Sequence, residues 1–135
     1  MPPRSITRAR GTMPAGWLPP DGLAHWRALG GGQTVAGLAD LVSEGQERVA
    51  GALGVPLERL PAVPAPAMRL VPLHGVLSDP GEADTFYEAL SRERVEVAPV
   101  HFAGTGYLRM AAALHNTSDD YDRLADAVRE LLKRR

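Results

Sequence analysis

The sequence predicts an α/β domain, a small and mostly antiparallel sheet covered by helices. Three observations carry that expectation. Apolar residues recur at helical spacing after Thr34, after Pro80 and after Thr117. Short apolar runs stand between those stretches, at 67–73, 95–102 and 106–114, bounded by Pro, Gly and Asn. Gly104-Thr105-Gly106 separates the last two runs and suits a hairpin turn.

The elements follow in order. Residues 1–22 hold Pro2, Pro3, Pro14, Pro19 and Pro20 with Gly11, Gly16 and Gly22 among them, which excludes a regular helix or central strand. They read as an extended arm ahead of a small α/β domain at 23–135, and Trp17 with Leu18 suggests that the arm docks somewhere. A short helix is expected from Asp21, with Leu23, Trp26 and Leu29 on one face, ending at Gly30-Gly31-Gly32. A second helix, N-capped near Thr34, carries Val35, Leu38, Leu41, Val42, Val49 and Leu53 as one stripe and stops at Gly54. Pro56, Pro61, Pro64 and Pro66 then make a semi-rigid connector. Ser78-Asp79-Pro80 has the order of a cap followed by a first-turn proline, and the helix after it should bury Phe86, Tyr87 and Leu90. Thr117 and Asp120 have capping-box spacing at the head of a last helix whose apolar face runs from Tyr121 to Leu132.

Composition narrows the function classes. At 135 residues the chain is one domain in size, and 44% hydrophobic residues suffice for a core. A net charge of −1 argues against nucleic acid or an anionic membrane as partner. With no cysteine there is neither a disulfide nor a thiolate site. No apolar run reaches the ~18 residues of a membrane span, and no apolar stretch follows the basic N-terminus as a secretory signal would require. A cytoplasmic protein is expected. The histidines His25, His74, His101 and His115 show no metal-ligand spacing.

The segment from Gly106 to Leu132, with Arg109, then Asn116-Thr117, then Asp119-Asp120 ahead of a terminal helix, resembles the C-terminal end of the class V aminotransferase family, the fold-type I pyridoxal-phosphate enzymes. The isopenicillin N epimerase-like branch is the most similar in flavour. Met110, Ala111 and His115 depart from the family's Ile, Ser and Tyr; at His115 the expectation is a packing substitution. Arg10-Gly11-Thr12 with Trp17-Leu18 resembles the family's Gly-Thr loop, and Val71-Pro72-Leu73 the first strand of its small domain. The resemblance spans residues 8–132.

The resemblance implies site residues. Arg109 would grip the α-carboxylate of an amino-acid substrate through a bidentate guanidinium fork. Periodicity alone would make it a surface arginine paired with an acidic neighbour. Thr12, assisted by Arg10, would contact the cofactor phosphate across a subunit interface; the alternative is an ordinary turn threonine.

The resemblance also implies a deficit. Its enzymes work through a Schiff-base lysine in a large domain, and the sole lysine here is Lys133, near the C-terminus; every other basic residue is arginine. The expected function is therefore that of a small-domain subunit in a split pyridoxal-phosphate enzyme, sharing the cofactor with a lysine-bearing large-domain polypeptide in a hetero-oligomer. The alternatives are a non-catalytic binding or regulatory module derived from the same domain, or a gene fragment.

Overall fold

The computed structural model describes residues 20–61, 65–73 and 75–134. The chain divides into two units, one ending at Gly31 and one starting at Gly32. The bulk of the expected arm, including Arg10, Thr12 and Trp17, lies outside the described residues, as does His74. In the first unit α1 (Pro20–Ala28) buries none of its residues, and Leu23, Trp26 and Leu29 are exposed.

The second unit holds α2 (Gly32–Ala52), β1 (Met68–Leu73), α3 (Pro80–Arg92), β2 (Ala98–Phe102), β3 (Thr105–Ala111) and α4 (Ser118–Lys133), with a 3-10 turn at Leu57–Arg59. The strands form one antiparallel sheet in the order β1-β3-β2, so α3 carries the chain from one edge to the other and β3 is inserted between them. The fold class expected from the sequence is the one found.

Local chemistry sets the boundaries. Asp79 caps α3 by accepting the Glu82 N–H at 2.9 Å, and Pro80 follows as the first helical residue. Glu82 reaches back to the Ser78 N–H at 2.7 Å. At the head of α4, the Asp120 carboxylate accepts the Thr117 N–H at 2.9 Å.

The hairpin turn sits one residue earlier than expected. Phe102 pairs with Thr105, leaving Ala103 and Gly104 as the two-residue loop with φ of 48° and 77°, the backbone of a type I′ turn. Gly106 belongs to β3 instead, and a side chain there would collide with the Val76 carbonyl and Leu77. The flanking strands are shorter than the apolar runs suggested: pairing starts at Ala98 and ends at Ala111.

Alternation divides the sheet into two faces. Val71, Leu73, Leu108 and Met110 join Val42 and Val49 of α2, Phe86 and Leu90 of α3, and Leu124 and Val128 of α4 in one buried cluster. Each such side chain contributes roughly 1.5–3 kcal/mol by leaving water. Leu70, Val100, Tyr107 and Arg109 alternate with these residues and point to the opposite face, outside the cluster. The helices thus cover one face of the sheet. Tyr87, expected in the core, is exposed on α3 and donates to Glu96 at 2.9 Å.

Tyr121 is the junction of the layers. Its ring lies against Gly45 so closely that a Cβ there would come within 2.5 Å of it. Its hydroxyl donates to the Ala111 carbonyl at the end of β3, 3.1 Å away, and burial raises the phenol's pKa. At the β1 edge the buried Gln46 donates to the Leu70 carbonyl at 2.7 Å. Each edge strand contains one proline, Pro72 in β1 and Pro99 in β2.

Two substitutions on one helix separate packing from propensity. Gly45→Ala should destabilise the domain by about 1–3 kcal/mol, because the ring must move. Gly37→Ala, on the same helix with nothing within 4 Å, should stabilise it by roughly 0.4–1 kcal/mol. Urea unfolding of both variants checks the opposite signs.

Candidate functional site

Arg109 stands at the middle of the central strand, opposite Leu70 of β1 and Ala98 of β2, with its side chain exposed on the face away from the helices. Two clefts meet there. One, of about 620 Å³, lies over the outer sheet face between Leu70, Val100, Phe102, Tyr107 and Arg109. The other, of about 580 Å³, runs toward the helices past Arg94, Glu96, His115, Asp120 and Arg123.

The charges of the second cleft are unequally occupied. Glu96 accepts hydrogen bonds from the hydroxyls of Tyr87 at 2.9 Å and Ser91 at 3.3 Å. Asp120 accepts the Thr117 N–H at 2.9 Å and an Asn116 amide N–H at 3.4 Å. Those two bonds, the backbone one foremost, hold its carboxyl below the usual range, with smaller contributions from nearby Arg123 and His115. Asn116 is itself committed, its oxygen accepting the Ala113 N–H at 2.8 Å to close the turn before α4. Elsewhere arginines pair with carboxylates: Arg48 with Glu44 and Asp122, Arg92 with Glu88, Arg129 with Asp126, Arg134 with Glu93. Among the described residues no carboxylate forms an ion pair with Arg94, Arg109 or Arg123.

Arg109 is thus exposed at a cleft and, among the described residues, forms no ion pair with the acidic neighbour that periodicity alone would assign to it. His115 is exposed at the cleft rim rather than packed. Arg10 and Thr12 lie outside the described residues, so their place relative to Arg109 does not enter the geometry.

Sequence reasoning missed Arg94 and Arg123. Arg123 carries no local signal beyond its place in the second turn of α4. Arg94 is hidden for a sharper reason. Three helices end in the same motif, in which two successive N–H groups fold back on the last turn: Gly30 and Gly31 on Arg27 and Trp26, Gly54 and Val55 on Gly51 and Ala50, Arg94 and Val95 on Ser91 and Leu90. The motif needs a left-handed residue, which is Gly30, Gly54 and, third, Arg94 at φ 58°. An arginine there announces no helix end in sequence.

No family model matches the sequence, and no curated protein matches it. Among the described residues there is no cluster of three or more His, Asp or Glu that could hold a metal ion, and no helix is long and apolar enough to cross a membrane.

Because the Asp120 carboxyl titrates lower in the folded protein than in the unfolded chain, it adds stability that is complete above the ordinary carboxylate range and is lost as pH falls through the folded-state value. Asp120→Asn should lower the thermal midpoint at pH 7. The gap between variant and parent should close progressively below about pH 4. Thermal unfolding across pH 2–8 measures it.

Proposed function

We propose that this chain is the substrate-anchoring subunit of a split pyridoxal-phosphate-dependent enzyme that processes an amino acid, of the aminotransferase, epimerase or lyase kind. The Schiff-base lysine comes from a large-domain partner polypeptide in a cytoplasmic hetero-oligomer. One observation carries the reading: Arg109, at the centre of the sheet, offers a guanidinium unclaimed by any described carboxylate at the meeting of two clefts. A planar fork of that kind takes an α-carboxylate through two parallel charge-assisted hydrogen bonds.

The described residues do not fit the cofactor on their own. Lys133 lies in the last turn of α4, exposed and bound to Glu130 at 2.7 Å, and it lines neither cleft. No step at the cofactor is therefore assigned to this chain; its part is to hold and orient the substrate. The outer sheet face supports a partner, since Phe102 is 73% exposed there beside Val100 and Tyr107. A second reading, an amino-acid-binding or regulatory module without catalysis, is favoured by one feature: the unit from Gly32 has a continuous core of its own.

Affinity purification of the tagged chain from its native cells should recover a stoichiometric lysine-bearing polypeptide of roughly 250 residues, about one large domain. Borohydride reduction of that complex should trap the cofactor on the partner and leave this chain unlabelled. Arg109→Lys should raise KM for the amino acid roughly 10- to 100-fold with a smaller change in kcat, as expected for loss of a charged bidentate contact. Turnover by this chain alone, or cofactor trapped on it in the active complex, overturns the proposal. Recovery of an already complete enzyme as partner moves the assignment to the second reading.

A further inference from the structure

The cleft that runs from Arg109 toward the helices carries both signs of charge. Arg94, Arg109 and Arg123 line it together with Glu96 and Asp120. Arg123 stands near Asp120, which caps α4, so those two offset one another. Glu96 and Arg109 are differently placed. Arg109 lies directly opposite Ala98 in the β2–β3 ladder, Glu96 precedes Ala98 by two residues, and all three line the cleft. Among the described residues neither charge enters an ion pair, with the other or with a third group.

Glu96 is oriented without being neutralised. Glu44, Glu88, Asp122 and Asp126 meet arginines, and Asp79 and Asp120 cap helices. Glu96 instead accepts the Tyr87 hydroxyl on Oε2 at 2.9 Å and the Ser91 hydroxyl on Oε1 at 3.3 Å. One donor on each oxygen fixes the group, yet both donors are neutral and the negative charge stays. A carboxylate can take about four hydrogen bonds, so part of its capacity is open. Tyr87, which makes the shorter of the two bonds, is 42% exposed and lines the same cleft. A carboxylate held in this way beside an opening is suited to a cation from outside the chain.

We infer that the ligand of this cleft is of mixed charge, with its carboxylate on Arg109 and an ammonium group on Glu96. This rests on the reading of Arg109 as the carboxylate anchor and adds Glu96 as the residue that tells an amino acid from a bare carboxylate. The ammonium is the α-amine common to all amino acids or the distal amine of a basic one; Glu96 takes either through the same charge-assisted hydrogen bonds. No step at the amine is assigned to Glu96, whose part is selection.

Titration of the full 135-residue chain, followed by amide chemical shifts, tests this with ligands of one chain length. Hexanoate carries the carboxylate alone, L-norleucine adds the α-amine, and 6-aminohexanoate adds the distal amine instead. At least one of the two amines should bind roughly ten-fold or more tighter than hexanoate, as expected for gain of a charged hydrogen bond, and its identity separates the α-amine from the distal one. Glu96→Gln should erase that preference and leave hexanoate binding unchanged, a pairing that general damage to the fold would not give. Arg109→Gln should weaken all the ligands. A smaller preference, or one that survives Glu96→Gln, overturns the inference, and hexanoate binding that still depends on Arg109 spares the anchor. Binding of none of the ligands, or binding unaltered by Arg109→Gln, overturns both.

Discussion

A tyrosine ring laid on a helix that has no side chain at the point of contact sets the relation of everything around the cleft. Tyr121 could not approach α2 if Gly45 carried a Cβ, and α2 packs against both α4 and β1. The ring's hydroxyl then ties α4 to the last residue of β3. The first two turns of α4 are thereby held beside the end of the strand that bears Arg109. Asp120 and Arg123, one and two residues from Tyr121 in sequence, are held beside that contact. Such a three-way junction explains how a domain with a three-stranded sheet can hold charged groups from a strand, a helix start and a helix end around one opening.

Most polar groups near that opening are occupied by the fold itself. Asn116 closes a turn, Asp120 caps a helix and Glu96 gathers two hydroxyls. The Asn-Thr-acidic pattern that suggested a family resemblance therefore has a sufficient structural reason to exist, independent of any ligand. Among the described residues Arg94 and Arg109 form no ion pair with a carboxylate, while Arg123 stands near enough to Asp120 to help hold that carboxyl low.

Much of the fold was legible because its signals are local. Asp79-Pro80, Thr117 with Asp120, and Gly54 act within a few residues, and each marks an observed helix boundary. The face of Tyr121, Leu124 and Val128 was readable from spacing alone. What escaped depends on distant neighbours. The hairpin loop fell on Ala103-Gly104, while Gly106 serves the strand where Val76 and Leu77 press on it, a contact across some 30 residues of chain. Tyr87 matched the helical stripe but finds Glu96 after the chain has turned. Arg109 was readable as a candidate from its strand and its spacing to Asn116. Arg94 and Arg123 were not, since one occupies a position where sequence rules look for glycine and the other sits on an unremarkable helical surface.

The prolines of the two outer strands have a consequence for how this domain meets other molecules. A strand-like peptide seeking to extend the sheet would find one amide donor missing beside Pro72 and another beside Pro99, while Gln46 already occupies a carbonyl on the first of these margins. Lateral templating, the route by which open sheets recruit further chains, is blunted on both sides. What stays open is the cleft around Tyr107 and Arg109, which offers side chains rather than main-chain groups.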